Sequence, residues 1–244
     1  MKSKENRPSQ KIIIVPDEHG RGTWKNGLKY FNENPDCKMI FLGDYLDPYT
    51  RHDGITHEDA YKNFLEILEF TRANPLRVIL LIGNHDEYYR NREKYCCRHD
   101  NKNYYAIAKL FEDNKDLFQY AYKQDKYLFT HAGVCDGWLK YNNLDLNEDT
   151  IVDYLNSAPN TLWQVGYSRG GRYGTWGSPI WNCWLGDWYY DDCKNPFKLT
   201  QIIGHTNVGK HNYPEFDEDK DVYMFDVQNS FLLDTETGEI NLLS

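Results

Sequence analysis

Five short runs of branched and aromatic apolar residues each end in side chains that ligate metals, and this pairing constrains the chain more than any other feature. The run KIIIVP (11–16) leads into D-E-H-G with Asp17 and His19, and KMIFLG (38–43) leads into Asp44 and Asp47 of G-D-Y-L-D. LRVILLIG (76–83) leads into Asn84, His85 and Asp86 of G-N-H-D, KYLFTH (126–131) runs into T-H-A-G with His131, and LTQIIG (199–204) runs into G-H-T-N with His205. Continuous apolar runs of this length, bounded by turn residues, read as strands buried on both faces. In an α/β sheet the carboxyl ends of the strands converge on one crevice, so ligands far apart in sequence should meet there. A single Asp-x-His or G-N-H-[DE] is a weak signal. Gathered together, buried aspartates and histidines without a metal would carry a heavy desolvation cost.

The rest of the pattern supports an α/β reading. Between the second and third strands a helix starts at Thr56, capped by its hydroxyl with Asp59 reaching back, and it carries Ala60, Phe64, Leu68 and Thr71 on one stripe. Further helices are expected over 103–111 and over 147–155, the latter with Asn147 as cap and Ile151, Tyr154 and Leu155 inward. From Asp221 onward VYMFDV, SFLLD, the turn TETG and EINLL read as antiparallel strands closing with a hairpin. Residues 1–10 form a polar tail, and 11–244 a single domain with a Trp- and Gly-rich loop at 157–196.

Composition narrows the classes. With 28 basic against 37 acidic residues the net charge is −9, which disfavours a nucleic-acid partner bound through its backbone. No stretch reaches the ~20 apolar residues of a membrane span, and the polar N-terminus has no apolar core behind it, so the chain reads as cytoplasmic, without a membrane partner. The cysteines (Cys37, Cys96, Cys97, Cys135, Cys183, Cys193) follow no framework and read as reduced thiols. Adjacent Cys96 and Cys97 suggest a metal or redox role, but no second pair completes a zinc spacing.

The set DEHG, GDYLD, GNHD, THAG and GHTN resembles the calcineurin-like metallophosphoesterase superfamily over roughly 12–205, most of the chain. The resemblance implies an α/β (α+β) fold, a four-layer α/β/β/α sandwich of two central sheets flanked by helices. It also implies that Asp17 and His19 hold a first divalent ion, Asn84, His131 and His205 a second, and Asp44 bridges both. A mixed N and O set suits Mn²⁺ first, with Fe or Zn²⁺ as alternatives, better than Ca²⁺ or Mg²⁺. Two ions of this kind can polarise a phosphoryl group and hold a bridging hydroxide for in-line attack. In similar enzymes the His of G-N-H-[DE] serves the leaving oxygen, which implies His85 as general acid oriented by Asp47.

Two departures bear on substrate. The phosphoprotein phosphatases of the superfamily have Arg directly after GDxxD and directly before GNHE, where this chain has Pro48 and Ile82. Arg169 and Arg172 on the glycine-rich S-R-G-G-R-Y-G are the expected substitutes for substrate binding, with Arg51 and Arg98 as weaker ones. The last motif carries Asn207 where nucleases and cyclic-nucleotide phosphodiesterases carry a His, which moves the chain toward the phosphoprotein-phosphatase-like branch. The expected activity is therefore metal-dependent hydrolysis of phosphate monoesters, on a phosphoprotein or another small phosphorylated substrate. The rivals are a dinucleoside polyphosphate or nucleotide hydrolase or phosphodiesterase, whose base would stack on the tryptophans, and an inactive binding module. Packing of those tryptophans onto the sheet is the competing use for them.

Overall fold

The computed structural model describes residues 10–91, 97–184, 193–208 and 213–243. In chain order the strands are β1 (Lys11–Val15), β2 (Lys38–Phe41), β3 (Val78–Leu81), β4 (Phe118–Gln119), β5 (Ala121–Gln124), β6 (Tyr127–Thr130), β7 (Thr200–Asn207), β8 (Glu215–Asp217), β9 (Val222–Asp226), β10 (Ser230–Asp234) and β11 (Ile240–Leu243). The α-helices are α1 (Leu28–Glu33), α2 (Thr50–Asp53), α3 (His57–Ala73), α4 (Asn84–Arg90), α5 (Tyr104–Asp113), α6 (Asp136–Tyr141) and α7 (Ile151–Asn156).

Two mixed sheets result, one ordered β11-β10-β1-β2-β3-β4 and the other β5-β6-β7-β9-β8. The apolar runs explain the layering. Side chains alternate across a strand, so Ile12, Ile14, Ile40, Leu42, Ile79 and Leu81 of the first sheet join Phe129, Ile202, Ile203, Val222 and Met224 of the second in one core. Their neighbours Ile13, Val15, Met39, Phe41, Val78 and Leu80 enter a second core with Phe64, Ile67 and Leu68 of α3. Both faces of the central strands are therefore covered, as their unbroken apolar sequence requires. This is the α/β/β/α sandwich expected from the sequence.

A local signal marks the start of α3. The Thr56 hydroxyl accepts from Asp59 N at 3.1 Å and the Asp59 carboxylate accepts from Thr56 N at 3.1 Å, a reciprocal box that starts α3. The helix expected from Asn147 starts later, at Ile151. Asn147 instead closes a turn, with its side-chain oxygen accepting from Asp149 N at 2.9 Å.

The tail requires a correction. β9 is not antiparallel to β10 but lies in the other sheet, parallel to β7 and antiparallel to β8, while β10 crosses to pair antiparallel with β1. Only β10 and β11 form the expected hairpin. No helix among the described residues is long and apolar enough to cross a membrane.

Candidate active site

The residues after β1, β2 and β3 and within β7 meet in one cleft of about 260 Å³, lined among others by Asp17, His19, Asp44, Asn84, His85 and His205, with His131, after β6, buried against Asn84 and His205. Their backbones are held in an unusual way. His19 (φ 41°), Asp44 (53°), Asp47 (60°) and His205 (56°) are non-glycine residues in the left-handed region. Such conformations persist where the surroundings over-determine them, and they gather at functional sites. Here the determinants are visible. The carboxylate of Asp86 accepts from Asp44 N (2.7 Å), Tyr45 N (3.0 Å) and Gly83 N (2.9 Å), locking the β2 and β3 exits together. A Cβ at Gly83 would fall on Asp44 Oδ1, and one at Gly204 would fall on Asp17 Oδ1. The glycines before Asn84 and His205 are therefore space reserved for two carboxylates.

The imidazoles are tautomerically fixed. His19 Nδ1 donates to Leu46 O (2.7 Å) and His131 Nδ1 donates to Leu42 O (2.8 Å), since a carbonyl only accepts. Their Nε2 lone pairs therefore face inward. His19 Nε2 is 3.7 Å from Asp44 Oδ2, and His131 Nε2 is 3.6 Å from the same oxygen, 3.0 Å from Asn84 Oδ1 and 3.2 Å from His205 Nδ1. Burial pushes His19 down to about 3 and also lowers His131 and His205, so these rings are neutral at neutral pH. The His205 Nε2 atom is buried without a hydrogen-bond partner.

The carboxylates complete the argument. Burial, with Asp226 and Asp44 nearby, raises Asp17 well above the usual carboxylate range. Asp44 moves the other way: burial raises it, but His131, His85, His19 and His205 outweigh burial and hold it below that range. Unshared lone pairs thus point at one another around buried negative charge, an arrangement that fits divalent cations and is costly without them. Two clusters have ligand atoms within 4.8 Å of one another: Asp44 with His131 and His205, and Asp44 with His19 and His85. His85 is the weaker member of the second. Its Nδ1 is engaged by Asp47 Oδ2 at 2.8 Å, and the Arg98 guanidinium stands 3.3 Å from its Nε2, which repels a cation there.

Helix α4 begins at Asn84, so one short helix carries Asn84, His85 and, near its far end, Tyr89. The Tyr89 hydroxyl donates to Asp47 Oδ1 (2.5 Å) and accepts from Asp100 N (2.9 Å), so Asp47 is braced on both oxygens. Sequence reasoning missed Tyr89, although its position four residues past His85 on a helix would have shown it. It also missed Asp226, which lines the cleft from the end of β9 and follows an apolar run just as Asp17 and Asp44 do.

The arginines divide. Arg169 reaches the cleft, and its Nη2 donates to His205 O at 3.2 Å. Arg172 does not: it is exposed and borders a separate hollow with Val165 and Tyr173, because the backbone hydrogen bonds Gly171 N to Gly166 O and Arg172 N to Val165 O turn it away. Of the two arginines expected from this loop, only Arg169 is brought to the cleft. Arg51 is exposed and lies outside the cleft lining, whereas Arg98 lies within it.

The tryptophans divide too. Trp184 and Trp176 are buried, with Trp184 Nε1 donating to Ala132 O at 2.8 Å, whereas Trp181 lines the cleft edge-on to His205. Trp163 is half-buried and edge-on to Tyr88. Trp188 and Cys96 lie outside the described residues; Cys97 lines the cleft.

Comparison with known proteins bears on this geometry. The family model for calcineurin-like phosphoesterases matches residues 10–208. A protein serine/threonine phosphatase from Saccharomyces cerevisiae, with similarity to human phosphatase PP5, shares the fold over 98% of this chain and 81% of its own, at 14% identity and a TM-score of 0.59. Lower likeness extends to a structure provisionally assigned as a diadenosine tetraphosphatase (12% identity, 95% and 92% covered, TM-score 0.47). It extends also to a metallophosphoesterase from Sphaerobacter thermophilus (10% identity, 95% and 87% covered, TM-score 0.41). No curated protein sequence matches.

Proposed function

Since the chain belongs to the calcineurin-like phosphoesterase family, we propose that it hydrolyses phosphate monoesters with two divalent cations held at the strand exits. Asp17, His19 and Asp44 would hold one cation, and Asp44, Asn84, His131 and His205 the other. The single observation that carries this reading is the convergence of inward lone pairs from four strand exits and from within β7 on Asp44 Oδ2 and its neighbours. Mn²⁺ suits this nitrogen and oxygen set, as do Fe and Zn²⁺. When bound, such ions supply positive charge against the phosphoryl oxygens and lower the pKa of water.

The chain's own groups do the rest. His85 stands beside the leaving oxygen as proton donor. Burial works against its proton, but Asp44 and the Asp47 hydrogen bond outweigh burial and hold His85 well above the ordinary histidine value. Asp47, braced by Tyr89, orients the ring. Arg169, hung from the His205 carbonyl, supplies a guanidinium toward the transferred phosphoryl group. A volume of about 260 Å³ admits a phosphoryl group and the near part of its ester, consistent with a phosphoprotein side chain or a small phosphorylated molecule.

A second reading, nucleotide or dinucleoside polyphosphate hydrolysis, is favoured by Trp181 and Tyr88, which line the cleft edge-on to one another with their rings 6.0 Å apart, available to a base at its mouth. The deciding experiment strips the protein with a chelator, restores Mn²⁺, Fe²⁺ or Zn²⁺ separately, and assays phosphopeptides, alkyl phosphates, mononucleotides and dinucleoside tetraphosphates. Monoester turnover that is lost with chelation and restored by Mn²⁺, with two equivalents of metal by elemental analysis, supports the proposal. Turnover that survives full demetallation would remove it.

A further inference from the structure

Arg98 is held at the active site by four contacts. Its Nε donates to Asp47 O at 2.9 Å, its guanidinium lies over the Tyr49 ring at 3.6 Å, and its Nη2 stands 3.3 Å from His85 Nε2. The Nη1 group is 3.6 Å from Cys97 Sγ. The Nε and Nη1 contacts engage two of the five guanidinium N–H groups, and His85 Nε2 accepts none while it carries the proton it donates, so among the described residues three remain for an outside acceptor. Arg98 is half-buried and part of the cleft lining, and the aromatic face beneath it holds its plane.

The placement says which part of a substrate it meets. In the proposed reaction the water oxygen bonds to phosphorus as the bond to the leaving oxygen breaks. That oxygen keeps the electron pair and takes the His85 Nε2 proton, and the proton from water is released to solvent. An Arg98 nitrogen 3.3 Å from the proton-giving atom therefore lies on the leaving-group side. Arg169, by contrast, hangs from the backbone of His205, a residue of the other cluster. The unengaged N–H groups of the Arg98 cation beside His85 Nε2 favour an anionic acceptor in that space. An uncharged alcohol offers one oxygen there. A leaving group with its own phosphoryl offers several anionic oxygens in the spacing a guanidinium accepts.

We infer that Arg98 is the leaving-group receptor of this active site and selects small substrates whose departing half carries a second phosphoryl group. The inference rests on the phosphoesterase reading and adds a substrate class to it.

The test compares ethane-1,2-diyl bisphosphate with 2-hydroxyethyl phosphate, two alkyl esters that differ by the second phosphoryl. The Mn²⁺-loaded enzyme should prefer the bisphosphate in kcat/KM by about tenfold or more, and Arg98→Gln should lower that ratio by roughly ten- to a hundredfold, the worth of a charged hydrogen bond. Arg98→Lys should restore part of the ratio, since it keeps the charge without the fork. Arg72→Gln, on an exposed arginine bonded to Asn114, should leave the ratio unchanged. Calorimetric binding of propane-1,3-diylbis(phosphonate) against propylphosphonate should show the same Arg98-dependent difference without turnover.

A wild-type enzyme with no preference, or a ratio unchanged in Arg98→Gln, would overturn the Arg98 assignment while leaving the phosphoesterase reading in place. Absence of turnover on every monoester with every metal would take both down. An Arg98-dependent loss seen only with phosphoserine peptides that carry a neighbouring aspartate would overturn the small-molecule form.

Discussion

The floor and the walls of the cleft are built by opposite rules. The floor is made of strand exits: Asp17, His19, Asp44, Asn84 and His131 are almost wholly buried, their backbones bend into the left-handed region at His19 and Asp44, and glycines make room for the carboxylates. The walls are made of loops: Arg98, Arg169, Trp181 and Tyr49 are half-buried or exposed and are held by one or a few contacts each. The difference teaches where precision is needed. Groups that would gather cations must sit within tenths of an ångström, so they are over-determined by the scaffold, whereas groups that choose a substrate can vary on a fixed floor.

Substitutions that break the floor should have the largest effects. Gly83→Ala pushes a methyl group into Asp44 Oδ1, and a displacement of about 1 Å at this position should lower kcat by roughly a hundredfold or more, with metal content reduced by elemental analysis. Asp44→Asn, at the shared oxygen, should cost more activity than Asp17→Asn. An Asp44→Asn protein with full turnover and two metals would contradict the bridging role.

Next comes the junction of floor and wall. His85→Ala should slow alkyl phosphates by roughly 10²- to 10⁴-fold. It should spare p-nitrophenyl phosphate, whose leaving group needs little protonation; equal losses on both would remove the acid role. The pH profile gives the sign. Because His85 is held above its ordinary value, its proton is present through neutral pH and leaves as pH rises through the raised value. In the wild type, kcat for alkyl phosphates should therefore fall on that alkaline limb, and the fall should be absent for p-nitrophenyl phosphate. Tyr89→Phe removes one of two braces on Asp47 and should lower kcat for alkyl phosphates by about tenfold with KM little changed.

The smallest effects belong to the outer wall. Trp181→Leu should alter KM for alkyl phosphates by no more than about threefold, and a much larger loss confined to nucleotides would establish base stacking. Arg172→Gln, outside the cleft lining, should leave all kinetic constants unchanged.

The floor was legible because its signal is local. Each ligating residue follows an apolar run within a few positions, and the ends of buried strands converge by the geometry of twisted sheets. Asp226 was legible by the same rule and was passed over because VYMFD was placed with the tail hairpin. The walls were not legible in this way. Arg98 and Arg172 look alike as single arginines in polar loops, and only folding puts one beside His85 and turns the other outward.

The sequence by itself determined the strands that lead into the cleft, the cap of α3 and the identities of the converging side chains, because periodicity, capping and strand-exit motifs depend on neighbours within a few residues. Tertiary structure decided which sheet β9 enters, how Tyr89 braces Asp47 and which arginines face the reacting groups. Those outcomes depend on pairings between segments tens to hundreds of residues apart, whose register no local pattern encodes.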